Sequence, residues 1–238
     1  MEIGLPQGDF VLDGAASELV LLVGGGRRPA LDWLRRMAQT CTVWAIDRGI
    51  DVCRQAAVVP ELLIGDADSG SPAAWQWSES LRIPTVRHPV DKDWTDLQLA
   101  LAELAVRRPG ATALLTGGLG RRFDHAYSNV FCLQAAKASG IQAVGLADET
   151  EALFFVAGGQ RFTARLAQLP PVISLIPLTP VCTAVTSRGV HWPLTEATLT
   201  MEHPAGICNR LATGSDRLEV SLDKGVLGVY FCWNEAGL

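Results

Sequence analysis

An α/β N-terminal domain with a doubly wound, mostly parallel sheet, spanning residues 1–148, followed by an all-β sandwich domain spanning residues 149–238, is the architecture this chain predicts. Two observations predict it. Up to about residue 148, short apolar runs alternate with amphipathic stretches that carry helix caps, the grammar of parallel strands joined by crossover helices. From Leu153 onward no helical pattern remains, and strand-length runs follow one another between turn signals such as Asp223-Lys224-Gly225.

The first dozen residues read as a loosely held lead-in. The apolar run at 19–23 is a buried strand ending in Gly24-Gly25-Gly26, and Pro29 opens a helix to about residue 38 with Leu31, Leu34 and Met37 on one side. A second strand covers 41–46 and ends at Asp47; a short helix covers 52–57; a third strand, 62–64, runs into Gly65-Asp66-Ala67-Asp68-Ser69. A helix holding Trp75 and Trp77 enters at Ser71-Pro72, and a strand follows at 83–87. Thr95 and Gln98 have capping-box spacing ahead of a helix that buries Leu97, Leu101 and Leu104. The strand at 111–116 leads into a Gly-rich turn, a helix over 124–139 closed by Gly140, and a last strand at 141–146. In the second half, 153–156 and 161–166 read as a hairpin, with further strands at 172–177, 181–186, 197–202, 207–213, 218–222 and 226–232.

Composition narrows the class. Hydrophobic residues make up 48% of the chain and charged residues 19%, enough apolar material for real cores and against disorder. A net charge of −5 with scattered Lys and Arg offers no basic stripe, so no nucleic-acid partner is expected. The six cysteines are widely spaced, without C-x-x-C or zinc-type Cys/His spacing, and read as reduced thiols of a cytoplasmic protein. The start lacks the basic region and apolar core of a signal peptide, and no apolar run approaches membrane-span length, so no membrane partner is expected.

The chemistry lies at the strand ends. In a doubly wound sheet, ligands bind outside the carboxyl ends of the strands. Those ends deliver Gly24–26 and Arg27; Asp47 and Gly49; Asp66, Asp68 and Ser69; Asp91, Lys92, Asp93 and Asp96; then Gly117, Gly118, Gly120, Arg122, Asp124 and His125. Asp66 and Asp68, at i and i+2 in extended backbone, share one face and form a candidate Mg²⁺ pair; the alternative is that one caps a helix and the other is solvated. A crowd of carboxylates repels itself unless cations neutralise it, and interleaved glycine, Arg and Lys suit a polyphosphate. There is no G-x-G-x-x-G, no P-loop lysine and no nucleophile elbow; Cys208 has no identifiable base beside it. His88 and His203 read as structural or surface residues, and Trp75, Trp77 and Trp94 as packing. The residues alone therefore point to Mg²⁺-dependent transfer of a phosphorus group from a nucleotide, catalysed by positioning and charge neutralisation.

The ordered set Asp47-Arg48-Gly49, Gly65-Asp66-Ala67-Asp68-Ser69, Asp91-Lys92-Asp93-Trp94-Thr95-Asp96 and Arg122-Phe123-Asp124-His125 resembles the thiamine pyrophosphokinase family. In the second half, Ser174-Leu175-Ile176-Pro177, Gly189-Val190-His191-Trp192-Pro193-Leu194 and Cys208-Asn209 resemble that family's later signatures, in order. The resemblance implies a first domain that binds ATP and Mg²⁺, a second that completes a thiamine site, and a homodimer with sites at the subunit interface. The reaction it implies is transfer of the pyrophosphoryl group of ATP to the hydroxyl of thiamine, giving thiamine diphosphate and AMP. By motif position, Asp66, Asp68 and Asp96 would hold Mg²⁺ with Asp47 in support. Lys92, Arg122 and Asp124 would face the phosphates or the reacting hydroxyl, with Asp93, Thr95, His125 and Ser69 beside the nucleotide. Trp192 would stack on the thiamine rings, as cation–π geometry suits, with Cys208 and Asn209 alongside. Three positions depart from the family pattern: Arg48 and Arg121 where glycine is usual, and Cys208 where serine is usual. They motivate two alternatives, a pyrophosphokinase acting on another hydroxymethyl heterocycle such as a pterin, and a non-catalytic thiamine or nucleotide sensor.

Overall fold

The computed structural model describes residues 1–14, 18–65, 70–88, 93–120, 122–203 and 205–234. The chain is a mixed α/β fold divided into two compact units: Met1–Ala15 with Glu149–Leu238, and Ala16–Asp148. The first unit begins with strands β1 (Glu2–Leu5) and β2 (Gly8–Leu12), an antiparallel hairpin. Ile3, Leu5, Phe10 and Leu12 are buried while the residues between them are exposed along each strand. This corrects two expectations, the loose lead-in and the placing of the first residues with the α/β domain. The period-two burial is real, but the strand that receives β2 lies some 150 residues away in sequence, so no local pattern reveals the partner.

The α/β unit runs through β3 (Leu19–Val23), α1 (Leu31–Met37), β4 (Thr42–Ile46), α2 (Gly49–Ala56), β5 (Leu62–Gly65), α3 (Pro72–Ser80), β6 (Thr85–Arg87), α4 (Asp96–Arg107), β7 (Thr112–Thr116), α5 (Phe123–Ala135), a 3-10 turn (Ala136–Ser139) and β8 (Gln142–Ala147). Its strands lie in the order β8-β7-β3-β4-β5-β6, and every pairing among them is parallel. Strands β3, β4, β5 and β7 are buried along almost their whole length, as strands covered on both faces must be. Chain order reverses at β3, which has β4 on one side and β7 on the other. Thr95 caps α4 by accepting from the Gln98 amide at 3.3 Å, and the Gln98 side chain accepts from the Thr95 amide at 2.9 Å. Ser71 caps α3 by accepting from the Ala74 amide, and its own amide and hydroxyl donate to Asp51 on α2, which pins the start of one helix to the other.

The β unit continues with β9 (Glu151–Ala157), β10 (Arg161–Leu166), β11 (Val172–Pro177), β12 (Val181–Arg188), β13 (Ala197–Thr200), β14 (Arg217–Ser221) and β15 (Val226–Cys232). One set of antiparallel strands has the order β1-β2-β10-β14-β12-β13, and another has β11-β15-β9. Four phenylalanines join the two sets: Phe10 stacks on Phe154 with centroids 4.6 Å apart and meets Phe231 edge-on at 5.5 Å, and Phe162 closes the cluster 5.3 Å from Phe154. The strand expected at 207–213 does not form. Cys208 takes a left-handed φ of +59° and Gly214 one of +78°, which breaks the extended run, and only isolated bridges through Asn209 and Leu211 remain. All six thiols are free, and burial pushes those of Cys41 and Cys53 up to about 12. Among the described residues, no helix is long and apolar enough to cross a membrane.

Candidate active site

Two glycine-rich loops meet where the strand order reverses. Gly24 follows β3 and Gly117 follows β7, and their backbones bond directly: the Gly24 amide donates to Thr116 O, Gly26 to Gly117 O at 2.7 Å, and Arg27 to Leu119 O at 2.8 Å. A Cβ on Gly26 would lie 2.3 Å from Gly117 O, and one on Gly117, which also has a φ of +67°, 2.3 Å from Gly24 O. These glycines are therefore needed for loop-on-loop contact, a role the sequence reading did not give them. Arg27 then reaches Asp148 just after β8, with Nε at 3.0 Å and Nη2 at 2.6 Å from one carboxylate oxygen. Asp148 is almost fully buried, so the pair anchors this loop on the β8 end. Sequence reasoning missed Asp148, because an Asp after a strand carries no mark of a distant arginine.

Asp47 ends β4 in the left-handed region, φ +50°, with its amide donating to Ile64 O at 2.7 Å. Such a conformation in a non-glycine residue is held by its surroundings. Gly65 lies against it, since a Cβ there would sit 3.1 Å from Asp47 Cα, and a Cβ on Gly49 would lie 1.8 Å from Val23 O. The Asp47-Arg48-Gly49 turn thus needs glycine only at its third position.

A cleft of about 600 Å³ opens over this switch point, a size that suits a small-molecule ligand. Its walls bring together Gly24–26, Asp47 and Arg48 from one side and Thr95, Asp96, Arg122, Asp124 and His125 from the other. Asp96 stands in the first turn of α4, where the helix N-terminus favours an anion. Arg122 and Asp124 form a forked ion pair, Nε to Oδ1 at 3.1 Å and Nη2 to Oδ2 at 2.5 Å. The Arg122 hydrogen bond holds the Asp124 carboxyl below its ordinary range, and the same bond raises the Arg122 guanidinium. Ser128 and Asn129, one turn further along α5, also line the cleft, and Asn129 Nδ2 donates to Gly118 O at 2.9 Å. Their i+4 spacing from Asp124 and His125 is the sequence signal that could have found them. Asp93 is exposed and is not among the cleft residues. Trp94, read as packing, is 54% exposed just before the α4 cap, and so is not a core residue. Asp66, Asp68, Ser69 and Lys92 lie outside the described residues, as does Arg121.

In the β unit, Trp192, Cys208 and Asn209 come together. The Asn209 side chain grips the Trp192 backbone from both ends, accepting from its amide at 3.2 Å and donating to its carbonyl at 2.8 Å. The Cys208 amide donates to Ser174 Oγ at 3.1 Å. Trp192 is 54% exposed, so it is a surface ring and not a core tryptophan.

A parallel α/β sheet whose ligand-sized cleft sits at the strand-order reversal, with glycine loops, carboxylates and an arginine converging there, defines an α/β protein with a small-molecule site at the switch point of its sheet. Residues 34–144 match the family model described as "Thiamin pyrophosphokinase, catalytic domain", and residues 162–227 match "Thiamin pyrophosphokinase, vitamin B1 binding domain". The two matches span well over half of the chain, and the chain belongs to the thiamine pyrophosphokinase family of enzymes. Thiamine pyrophosphokinase 1 of Oryza sativa subsp. japonica is 28% identical over 142 residues, 57% of this chain and 53% of that protein, so the match spans about half the length of that relative. Thiamine pyrophosphokinase of Bacillus subtilis (strain 168) is 25% identical over 209 residues, 87% of this chain and 94% of that protein. The crystal structure of a thiamine pyrophosphokinase from Bacillus subtilis has the same fold, with a TM-score of 0.79 at 23% identity over 91% of this chain and 100% of that one.

Proposed function

We propose that this chain transfers the pyrophosphoryl group of ATP to the hydroxyl of thiamine, with Mg²⁺, giving thiamine diphosphate and AMP. The observation that carries the reading is the convergence of Asp47, Asp96, Arg122 and Asp124 on one cleft at the strand-order reversal, in a chain of this family. Asp47 and Asp96 put hard oxygen donors in the same cleft, a donor chemistry that fits Mg²⁺. Asp96, with Asp66 and Asp68, would hold the ion, and Asp47 would support them. When bound, Mg²⁺ would neutralise phosphate charge and polarise the phosphorus that is attacked.

The protein's own groups do the rest. The thiamine hydroxyl oxygen bonds to the β-phosphorus as the bond from that phosphorus to the α-bridging oxygen breaks, the hydroxyl proton is released, and AMP leaves. Arg122 is exposed and pairs with Asp124 two residues along the chain, so a polyphosphate can draw it from that carboxylate. Asp124, held anionic by that arginine, is a poor base until the exchange occurs. Lys92, Thr95, His125 and Ser69 are assigned to the nucleotide side, and Trp192, Cys208 and Asn209 to the thiamine side. The strand order and the paired β sheets support reading the first domain as doubly wound and the second as a sandwich. A homodimer in the cytoplasm completes the proposal.

AMP release from ATP, measured with thiamine and with a hydroxymethyl pterin, tests it. Turnover is expected with thiamine, to be lost on chelation of Mg²⁺ and in Asp96→Asn, and Trp192→Ala is expected to raise the thiamine KM more than the ATP KM. Turnover with the pterin alone, or none with either, would reject the assignment.

A further inference from the structure

One face of Trp192 is already occupied. The Arg210 guanidinium carbon lies 5.1 Å from the centroid of the Trp192 ring, within cation–π range. The backbone fixes this encounter. Asn209 clamps the Trp192 main chain and also accepts from the Arg210 amide at 2.9 Å, while the His191 amide donates to Arg210 O at 2.9 Å. Two short segments are thus zipped together so that residues 191–192 face 209–210, and the arginine side chain has one aromatic surface beside it. His191 completes the group: its ring meets Trp192 edge-on at 4.5 Å, and its Nε2 lies 3.5 Å from Arg210 Nη2. Trp192, His191 and Arg210 are all exposed.

We propose that Arg210 is the resident occupant of the Trp192 face, a cation of this chain's own that an incoming cationic aromatic ring must displace, and that it thereby sets the affinity for that ring. The inference rests on the reading of Trp192 as the thiamine contact. The physical argument is competition for one surface. A π face attracts a guanidinium and a thiazolium by the same quadrupole, and one face accommodates only one of them. An exposed cation–π contact is worth about 0.5–1 kcal/mol, so removing the competitor should tighten binding about two- to five-fold. Arg210 acts through Trp192 and takes no part in the chemistry, which makes it a specificity-determining residue.

Two measurements on the full chain test it. In ligand-free protein, quenching of Trp192 emission by acrylamide, taken as the difference between each protein and its Trp192→Phe counterpart, should increase in Arg210→Ala and in Arg210→Gln. Titration with thiamine in the absence of ATP should give a Kd lower by about two- to five-fold in both variants, with no effect of either substitution in a Trp192→Ala background. An unchanged or weakened Kd in both variants would overturn the inference, because Arg210 would then be neutral toward the ligand or in contact with it. Unchanged acrylamide quenching would also overturn it, since Arg210 would not be covering the ring. Failure of the proposed function looks different: no variant, and not the wild type, would bind or turn over thiamine.

Discussion

At the scale of single residues, the cleft is defined by what surrounds its charges more than by their number. Asp124 is legible in the sequence as a carboxylate after a strand, yet its electrostatic state depends on Arg122 two residues before it. Its folded pKa is depressed, so the pair contributes stability at pH values above the ordinary carboxylate range, and that contribution is lost as pH falls through the folded value. Arg122→Ala should return the Asp124 carboxyl upward toward the ordinary range, read from a carboxyl-carbon NMR titration; a value that stays low would show that another group holds it. Asn209 teaches a different lesson. Motif position assigns it to the ligand, whereas its side-chain oxygen and nitrogen are both engaged with the backbone of Trp192. A polar side chain in a motif can serve the ligand by holding the residue that touches it.

At the scale of elements, local signals were read well where the physics is local. The Thr95–Gln98 capping box is a three-residue spacing whose two hydrogen bonds form within one turn, and the structure contains both. Because that cap sets the start of α4, it also sets where Asp96 stands. Thr95→Ala should lower the unfolding free energy by about 1 kcal/mol in urea titrations. An unchanged midpoint with an unchanged slope would mean that the cap contributes nothing. The glycine loops were legible only in part. Gly24, Gly26 and Gly117 read as turns able to approach a phosphate, but the Cβ contacts they avoid lie with the opposite loop, which a sequence cannot place nearby. The 207–213 run failed for a related reason. Its apolar residues suit a strand, yet the left-handed backbone at Cys208 overrides propensity once Ser174 bonds its amide.

At the scale of the whole molecule, the first strands belong with the last ones. Phe10, fully buried, packs against aromatic rings from three strands that follow it by more than 140 residues in the chain. Phe10→Ala should cost about 3–5 kcal/mol, the range for losing a buried aromatic ring, and should destabilise the β unit first. Urea unfolding followed through tryptophan emission in each unit checks this; a loss confined to the α/β unit would contradict the observed packing.

The sequence by itself determined the alternation that makes a parallel sheet, the caps that start its helices, and the ordered motifs that place the chain in its family, because each depends on residues close together in the chain. The tertiary structure decided the rest. It joined β2 to β10, set the two glycine loops against each other, tied Arg27 to the buried Asp148, and laid Arg210 over Trp192. Those contacts link residues far apart in sequence, and they form only when burial and backbone pairing hold the distant segments in register.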